Sequence, residues 1–421
     1  MMLDLNDIVR ALRSISKLDV KPSDIASLLD YSEKNASWEP LLAVAGTEGV
    51  AELFYYHLKN LKLLDVPPEP VIRELEDAYR QTTRHVFATI SVLKSISVTA
   101  AQAGIPVLAL QGITLIKLYR DPGIRPLLDA DLMIRDHHRE KFRQLLLDEG
   151  FSIPYLVYPD LLFKDGVWID IHTHILNLDR IRNRQYLFPK DLHTMWERAT
   201  PFFANDEGML RLDPFDNFVC LAAHALKHSY SRLIWLTDLH EALNALTMTS
   251  GGWEKVVKRA GFWQQEKTVL YALLILEGIF HQKIPAWVKA RLGIERMGLM
   301  EKYLIGLKLN GFSSDRYCNA LWLFTIRGFC PKVRFLAETL FPRKEIMAQI
   351  FRDEPRESRP WLLARRTTVT FGLLWADLSQ VFRLSIGSSN RLATHCKLPG
   401  HVRHKERKLS VSIPWVFDRK K

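Results

Sequence analysis

Cysteine is scarce and scattered. Cys220, Cys318, Cys330 and Cys396 form no CxxC pair, so neither a disulfide framework nor a zinc knuckle is expected, and a reducing compartment fits. A run of about 18 apolar residues, long enough to cross a bilayer, is missing too. The nearest, Thr367 to Ile386, is broken by Asp377 and Arg383. The opening MMLDLNDIVRALRS has no basic start followed by an apolar stretch, which predicts no signal peptide and a cytoplasmic location. There is no internal repeat. Eleven Trp and twenty-one Phe among 421 residues exclude a disordered chain, because so many aromatics need a core.

The charge is also less informative than its total. The net value is +11, but residues 386–421 hold nine basic and two acidic groups, leaving only +4 for the other 385. Specific nucleic-acid binding by the folded part is therefore not expected. The basic tail, predicted to be disordered, suits weak, salt-sensitive contact with a membrane or another polyanion.

What is present is a change of texture along the chain. Residues 1–103 repeat apolar positions every three to four, as in AELFYYHLKNLKLL, which predicts helices. Pro67, Pro68 and Pro70 separate two of them. From Ile105 the pattern becomes strand-like: IPVLALQG is a short apolar run ending in Gly112, and LDADLMIR alternates Asp with apolar residues. DHHREKFRQLLLDEGF predicts a helix with Asp136 as N-cap and Gly150 at its end. YLVYP with DLLFK, then GVWIDIHTHIL, are further strand candidates. Helical periodicity returns from about Pro214. The expected class is α+β: a small mixed-sheet core at 104–200, helical regions at 1–103 and 210–385, and the tail from 386.

Asp129 and Asp131 stand two apart on a predicted strand, so their side chains share a face. Two carboxylates so placed suit a hard divalent ion. Asp170, in a second apolar strand, supplies a third. Three such groups on neighbouring strands match metal-assisted phosphoryl transfer, with the third helping to deprotonate the attacking hydroxyl. Gly112 would let backbone approach phosphates closely. Alternating Asp on a strand also occurs as a plain solvated face.

The run LALQGITLIKLYRDPGIRPLLDADLMI, then WIDIHTH, then HALKHSYSRLIWLTDLHEAL, resembles the uncharacterised nucleotidyltransferase family of bacteria, within the DNA polymerase beta-type superfamily. The likeness spans about residues 105–246. It implies metal ligands at Asp129, Asp131 and Asp170, and nucleotide contacts at Gln111, Gly112, Thr114 and Arg125. It further implies Mg²⁺ or Mn²⁺ and an NTP whose NMP moves to a hydroxyl-bearing small molecule, sugar or protein. Gln111 replaces the family's usual Lys, and Gly112-Ile113 its Gly-Ser pair, so a catalytically lapsed binding protein is an alternative.

A metallohydrolase is a further alternative. Asp170, His172 and His174 alternate on one strand, and His224 and His228 are helical neighbours. A structural or substrate-contacting role for His172, His224, His228 and Asp238 competes with it. RPWLLARRTTVTFGLLWADLSQVFRL reads as a core helix with a basic edge or as a membrane-surface helix.

Overall fold

A computed structural model describes residues 5–26, 28, 38–177, 186–189, 191–204, 208–309, 317–341, 343 and 346. The basic tail and the Arg359–Leu384 segment lie outside them. Among the described residues no helix is long and apolar enough to cross a membrane.

The N-terminal region is helical as expected: α1 (Leu5–Ile15), α2 (Glu39–Glu48), α3 (Ala51–Asn60) and α4 (Glu69–Gln102). Pro68 caps α4 and a second proline lies in its first turn, where a missing N–H costs nothing. After 34 residues α4 ends at Ala103, and Gly104 turns the chain at φ +68° into the sheet.

Six strands follow: β1 (Val107–Leu110), β2 (Ala130–Met133), β3 (Leu161–Lys164), β4 (Val167–His172), β5 (Thr200–Pro201) and β6 (Met209–Arg211). They form one mixed sheet in the order β3-β4-β2-β1-β6-β5. The hairpin β3–β4 turns on Asp165-Gly166, both at positive φ (50° and 81°), as a two-residue loop with right-handed strand twist requires. Between strands lie α5 (Gly112–Leu115), α6 (Arg139–Asp148) and α7 (His193–Arg198).

Period-2 alternation divides the sheet's faces. Val107 and Ala109 of β1, Ala130 and Leu132 of β2, and Val167, Ile169 and Ile171 of β4 join the core with Val86, Leu93, Ile96 and Ala100 of α4 and Phe142 and Leu146 of α6. Asp131, Asp170 and His172 occupy the intervening positions, so they share the opposite face.

Three local expectations need correcting. YLVYP is turn rather than strand. Asp136 opens a single 3-10 turn, Asp136–His138, and α6 starts after His138 without a side-chain cap. Strands β5 and β6 went unforeseen, because two and three residues are too short to display a period. It is the parallel pairing of Val107 to Met209 and Ala109 to Arg211 that makes β6 a strand.

The C-terminal helices are α8 (Pro214–Lys227), α9 (Leu233–Thr247), α10 (Gly252–Phe262), α11 (Glu266–Phe280), α12 (Ala286–Leu292), α13 (Leu299–Leu309), α14 (Tyr317–Thr325) and α15 (Phe329–Leu340). Asp213 caps α8 by accepting from the N–H groups of Phe215 and Asp216. Asp216 is fully buried and accepts from Arg198 of α7, Arg259 of α10 and the indole of Trp263. The chain forms two compact units, residues 1–178 with 183–332, and residues 179–182 with 333–421. All residues of the site described below belong to the first.

Candidate active site

Strand register assembles the acidic group. In the parallel pair β2–β4, Asp131 stands opposite Asp170 and Met133 opposite His172. The His172 imidazole Nε2 reaches Asp131 Oδ1 at 2.9 Å and Asp170 Oδ2 at 3.0 Å. Asn177 Nδ2 donates to the same Asp170 oxygen at 3.3 Å. One ligand atom from each of Asp131, Asp170 and His172 lies within 4.8 Å of the others, a candidate metal site.

Asp129 sits beside this group, one residue ahead of β2, rather than in it. Burial first, and then the charges of Asp131 and Asp170, push its carboxyl well above the ordinary range; His172 and Arg125 act the other way. No hydrogen-bond donor reaches Asp129 among the described residues. Burial lowers the basicity of His172, but Asp170 and Asp131 outweigh it and raise its pKa to about 10. Its Nδ1 is buried without a hydrogen-bond partner among the described residues. Three crowded carboxyl groups, one of them unpaired, are a donor set suited to a hard divalent cation.

The expected nucleotide contacts partly converge. Gln111, after β1, is forced to φ 53°, ψ −133°, a conformation glycine adopts far more easily. Gln111, Gly112 and Arg125 border a cleft closed by Leu221 and His224 of α8 and by Trp235 and Asp238 of α9. Thr114 is engaged elsewhere: its hydroxyl donates to the Gln111 carbonyl at 2.7 Å and accepts from Asn217 at 3.2 Å. Gly112 is small for a reason the sequence did not disclose, because a β-carbon there would overlap the Arg125 guanidinium.

Arg125 is spoken for. Its Nε and Nη2 donate to the two Asp238 oxygens at 3.2 and 2.6 Å, and its Nη1 to the Pro126 carbonyl. Burial opposes its charge, but Asp238 more than offsets this and raises the guanidinium pKa. Tyr119 donates to the same Asp238 at 2.7 Å. Sequence reasoning missed Tyr119, and no local signal marks it. Trp235 lay within sight, one helical turn before Asp238.

The histidines do not gather into a second metal group. Among the described residues neither His174, His224 nor His228 joins Asp131, Asp170 and His172. His174 Nδ1 accepts from the Leu176 N–H. His224 and His228 pack with Trp235, their ring centroids 4.7 to 5.3 Å apart. Burial first, and then the electrostatic influence of His228, Lys227, His172 and Arg125, push the His224 pKa well below its ordinary value. A His-rich dinuclear hydrolase centre does not fit this arrangement.

No curated protein and no solved structure matches the chain. The family model described as uncharacterised nucleotidyltransferase matches residues 34–281, more than half of the 421. That span takes in the sheet, the carboxylates and both walls of the cleft, and on it the chain belongs to the uncharacterised nucleotidyltransferase family.

Proposed function

We propose that this protein is a metal-dependent nucleotidyltransferase that moves an NMP from an NTP to the hydroxyl of a small-molecule, sugar or protein acceptor. The observation that carries this is the register of Asp131 against Asp170, with His172 between them and Asp129 alongside. Asp131 and Asp170, with Asp129 and the His172 imidazole beside them, would hold the ion. Magnesium or manganese bound there supplies positive charge against the triphosphate and the developing transition state.

The remaining work falls to side chains. Asp170 stands at the more open end of the acidic group and orients the acceptor hydroxyl, taking its proton as the oxygen attacks the α-phosphorus. The bond to the bridging oxygen breaks and pyrophosphate leaves. Asn177 and His172 hold Asp170 in position. Gln111, Gly112 and Arg125 form the nucleotide side, with Thr114 supporting the Gln111 turn.

The test is transfer of label from each NTP, with Mg²⁺ or Mn²⁺, to a broad hydroxyl-acceptor panel. Transfer by the native protein and its loss in Asp131→Asn is the expected result. No transfer across the panel sinks the proposal. One observation favours a second reading, a catalytically lapsed nucleotide-binding protein: Arg125 is fully engaged by Asp238 and Gln111 is uncharged. That reading requires Asp131→Asn to leave nucleotide binding and the cellular phenotype unchanged.

A further inference from the structure

Past the carboxylates, the same face of the sheet continues into an aromatic surface. Alternation along β4 sends Trp168 to the side that carries Asp170 and His172, while Val167, Ile169 and Ile171 turn to the core. Strand register adds Phe163, opposite Trp168, and Leu161, opposite Asp170. The Phe163 and Trp168 rings pack with centroids 4.7 Å apart and a tilt of 46°. A third ring comes from the turn that precedes β3. Tyr155 lies within 10° of parallel to the Trp168 indole, 6.1 Å away between centroids.

Backbone bonds fasten that turn. Ser152 and Phe163 exchange N–H to carbonyl bonds at 2.9 Å in both directions, and the Tyr158 N–H donates to the Tyr155 carbonyl at 2.9 Å. Trp168 is 8% exposed, Tyr155 41% and Leu156 89%. Phe163 and Trp168 are therefore the floor, and Tyr155 and Leu156 the accessible rim. A leucine exposed alone on a protein surface needs no explanation. One that stands beside three packed rings, on the face of the carboxylates, is placed to meet a ligand.

The position decides which ligand. Trp168 precedes Asp170 by two residues, about 7 Å along the strand. The expected nucleotide contacts Gln111 and Gly112 follow β1, and the order β3-β4-β2-β1 puts β1 and β3 on opposite sides of the Asp131–Asp170 pair. In the transfer reading, the aromatic surface thus flanks the carboxylate that takes the acceptor's proton, on the side away from the nucleotide. Residues 155–158, Phe163 and Trp168 bring no charge. An anionic acceptor would gain nothing from them and would be repelled by the crowded carboxylates. A neutral ring with an apolar face and hydroxyl groups on its edge suits both: the face packs on the rings, and the edge meets Asp170 and the Asn177 carboxamide bonded to it.

Resting on the nucleotidyl-transfer reading, we propose that this surface is the acceptor subsite and that the acceptor is a neutral sugar. The C–H face of the pyranose lies on Tyr155 and Leu156, with one hydroxyl directed to Asp170. That oxygen bonds to the α-phosphorus, its proton passes to the Asp170 carboxylate, and the bond to pyrophosphate breaks. The product is a sugar joined to the NMP through a phosphodiester.

The experiment gives the full-length protein two readouts. Saturation-transfer NMR with methyl hexopyranosides, open-chain hexitols and N-acetyl-tyrosinamide, without metal or nucleotide, reads the surface alone. Transfer of label from NTP with Mg²⁺ to the same compounds reads the reaction. Both use the native chain, Tyr155→Ala, Tyr155→Phe and Leu156→Ala, with thermal unfolding confirming each fold. A methyl pyranoside is expected to bind and to accept label better than the hexitols, which lack a rigid ring face. Tyr155→Ala should raise its KM about tenfold and leave the NTP KM unchanged, Tyr155→Phe should stay near native, and Leu156→Ala should fall between. Absence of pyranoside binding, a preference for N-acetyl-tyrosinamide, or a rise in NTP KM in place of acceptor KM overturns the proposal. Pyranoside binding that Tyr155→Ala weakens, in a protein that transfers nothing, refutes the transfer reading alone. Transfer that Tyr155→Ala leaves untouched refutes the subsite alone.

Discussion

Arg125 and Asp238, 113 residues apart in sequence, meet as a buried two-point pair with contacts of 2.6 and 3.2 Å. Arg125 leads toward β2 and Asp238 lies in mid-helix on α9, so one interaction joins the sheet to the C-terminal helices. Its geometry also determines what can stand at position 112, since the guanidinium occupies the space of any side chain there.

This pair should behave as a structural fastening first. Both side chains are under a tenth exposed, and removing one partner of a buried pair costs about 3–5 kcal/mol, because the other charge is left unmet. Asp238→Asn and Arg125→Met are each expected to lose about that much in urea unfolding. The double variant Arg125→Met/Asp238→Leu should recover much of it. Equal losses in single and double variants would contradict the account.

Metal-dependent transfer should depend on register rather than on one residue. Asp131→Asn or Asp170→Asn removes an oxygen ligand and is expected to lower NMP transfer by about 10³-fold, equivalent to the several kcal/mol a catalytic ion contributes. Manganese binding, followed by electron paramagnetic resonance, should weaken in the same variants. Undiminished manganese binding in both would show that these carboxylates are not the ligands.

Acid should destabilise the N-terminal helices through His57. Its imidazole is buried, and Nε2 contacts the carbonyls of Ile15 and Lys17 at 3.1 and 2.9 Å. Burial is the main cause that lowers its pKa to about 4. An unfolded-chain histidine titrates near 6.5, so between pH 6.5 and 4 the unfolded state takes up a proton that the folded state refuses. Stability therefore falls as pH drops through that window, by about 3 kcal/mol in all, and is unaffected above it. Urea unfolding of the native protein and His57→Gln at pH 7 and pH 4.5 checks this. The variant should lose less on acidification, and parallel losses would refute the assignment.

Gln111 should exchange stability for function. A non-glycine residue at φ 53°, ψ −133° carries strain of about 1–3 kcal/mol. Gln111→Gly is expected to relieve about 1 kcal/mol of it, net of the flexibility glycine adds to the unfolded chain, and to reduce nucleotide affinity. A less stable variant with undiminished affinity would show that the turn is neither strained nor engaged with ligand.

Much of this was legible in the residues alone. Apolar runs at period 3.6 and period 2 marked the helices and the strands β1, β2 and β4, because each element must bury one face whatever its neighbours are. The spacing of Asp129 and Asp131, and the apolar setting of Asp170, identified the acidic group for the same local reason. Strands β5 and β6 escaped, since three residues gain strand character only from a partner. The exact membership of the acidic group escaped too. Strand register is a long-range property, and it set His172 between Asp131 and Asp170 while leaving Asp129 beside them.

Sequence by itself thus determined the class of fold, the family and the carboxylates that gather on one face of the sheet. Tertiary structure alone decided how Arg125, Gly112, Asp238 and Trp235 are used. For Arg125 the tertiary structure adds a partner that the sequence did not show: α9 brings the Asp238 carboxylate to it, because a buried charge takes the nearest partner available. The same packing gathered Gln111, His224 and Trp235 around the cleft, their side chains without a hydrogen-bond partner among the described residues. No local pattern encodes that arrangement, because its members come from three separate stretches of chain and meet only when the helices close over the sheet.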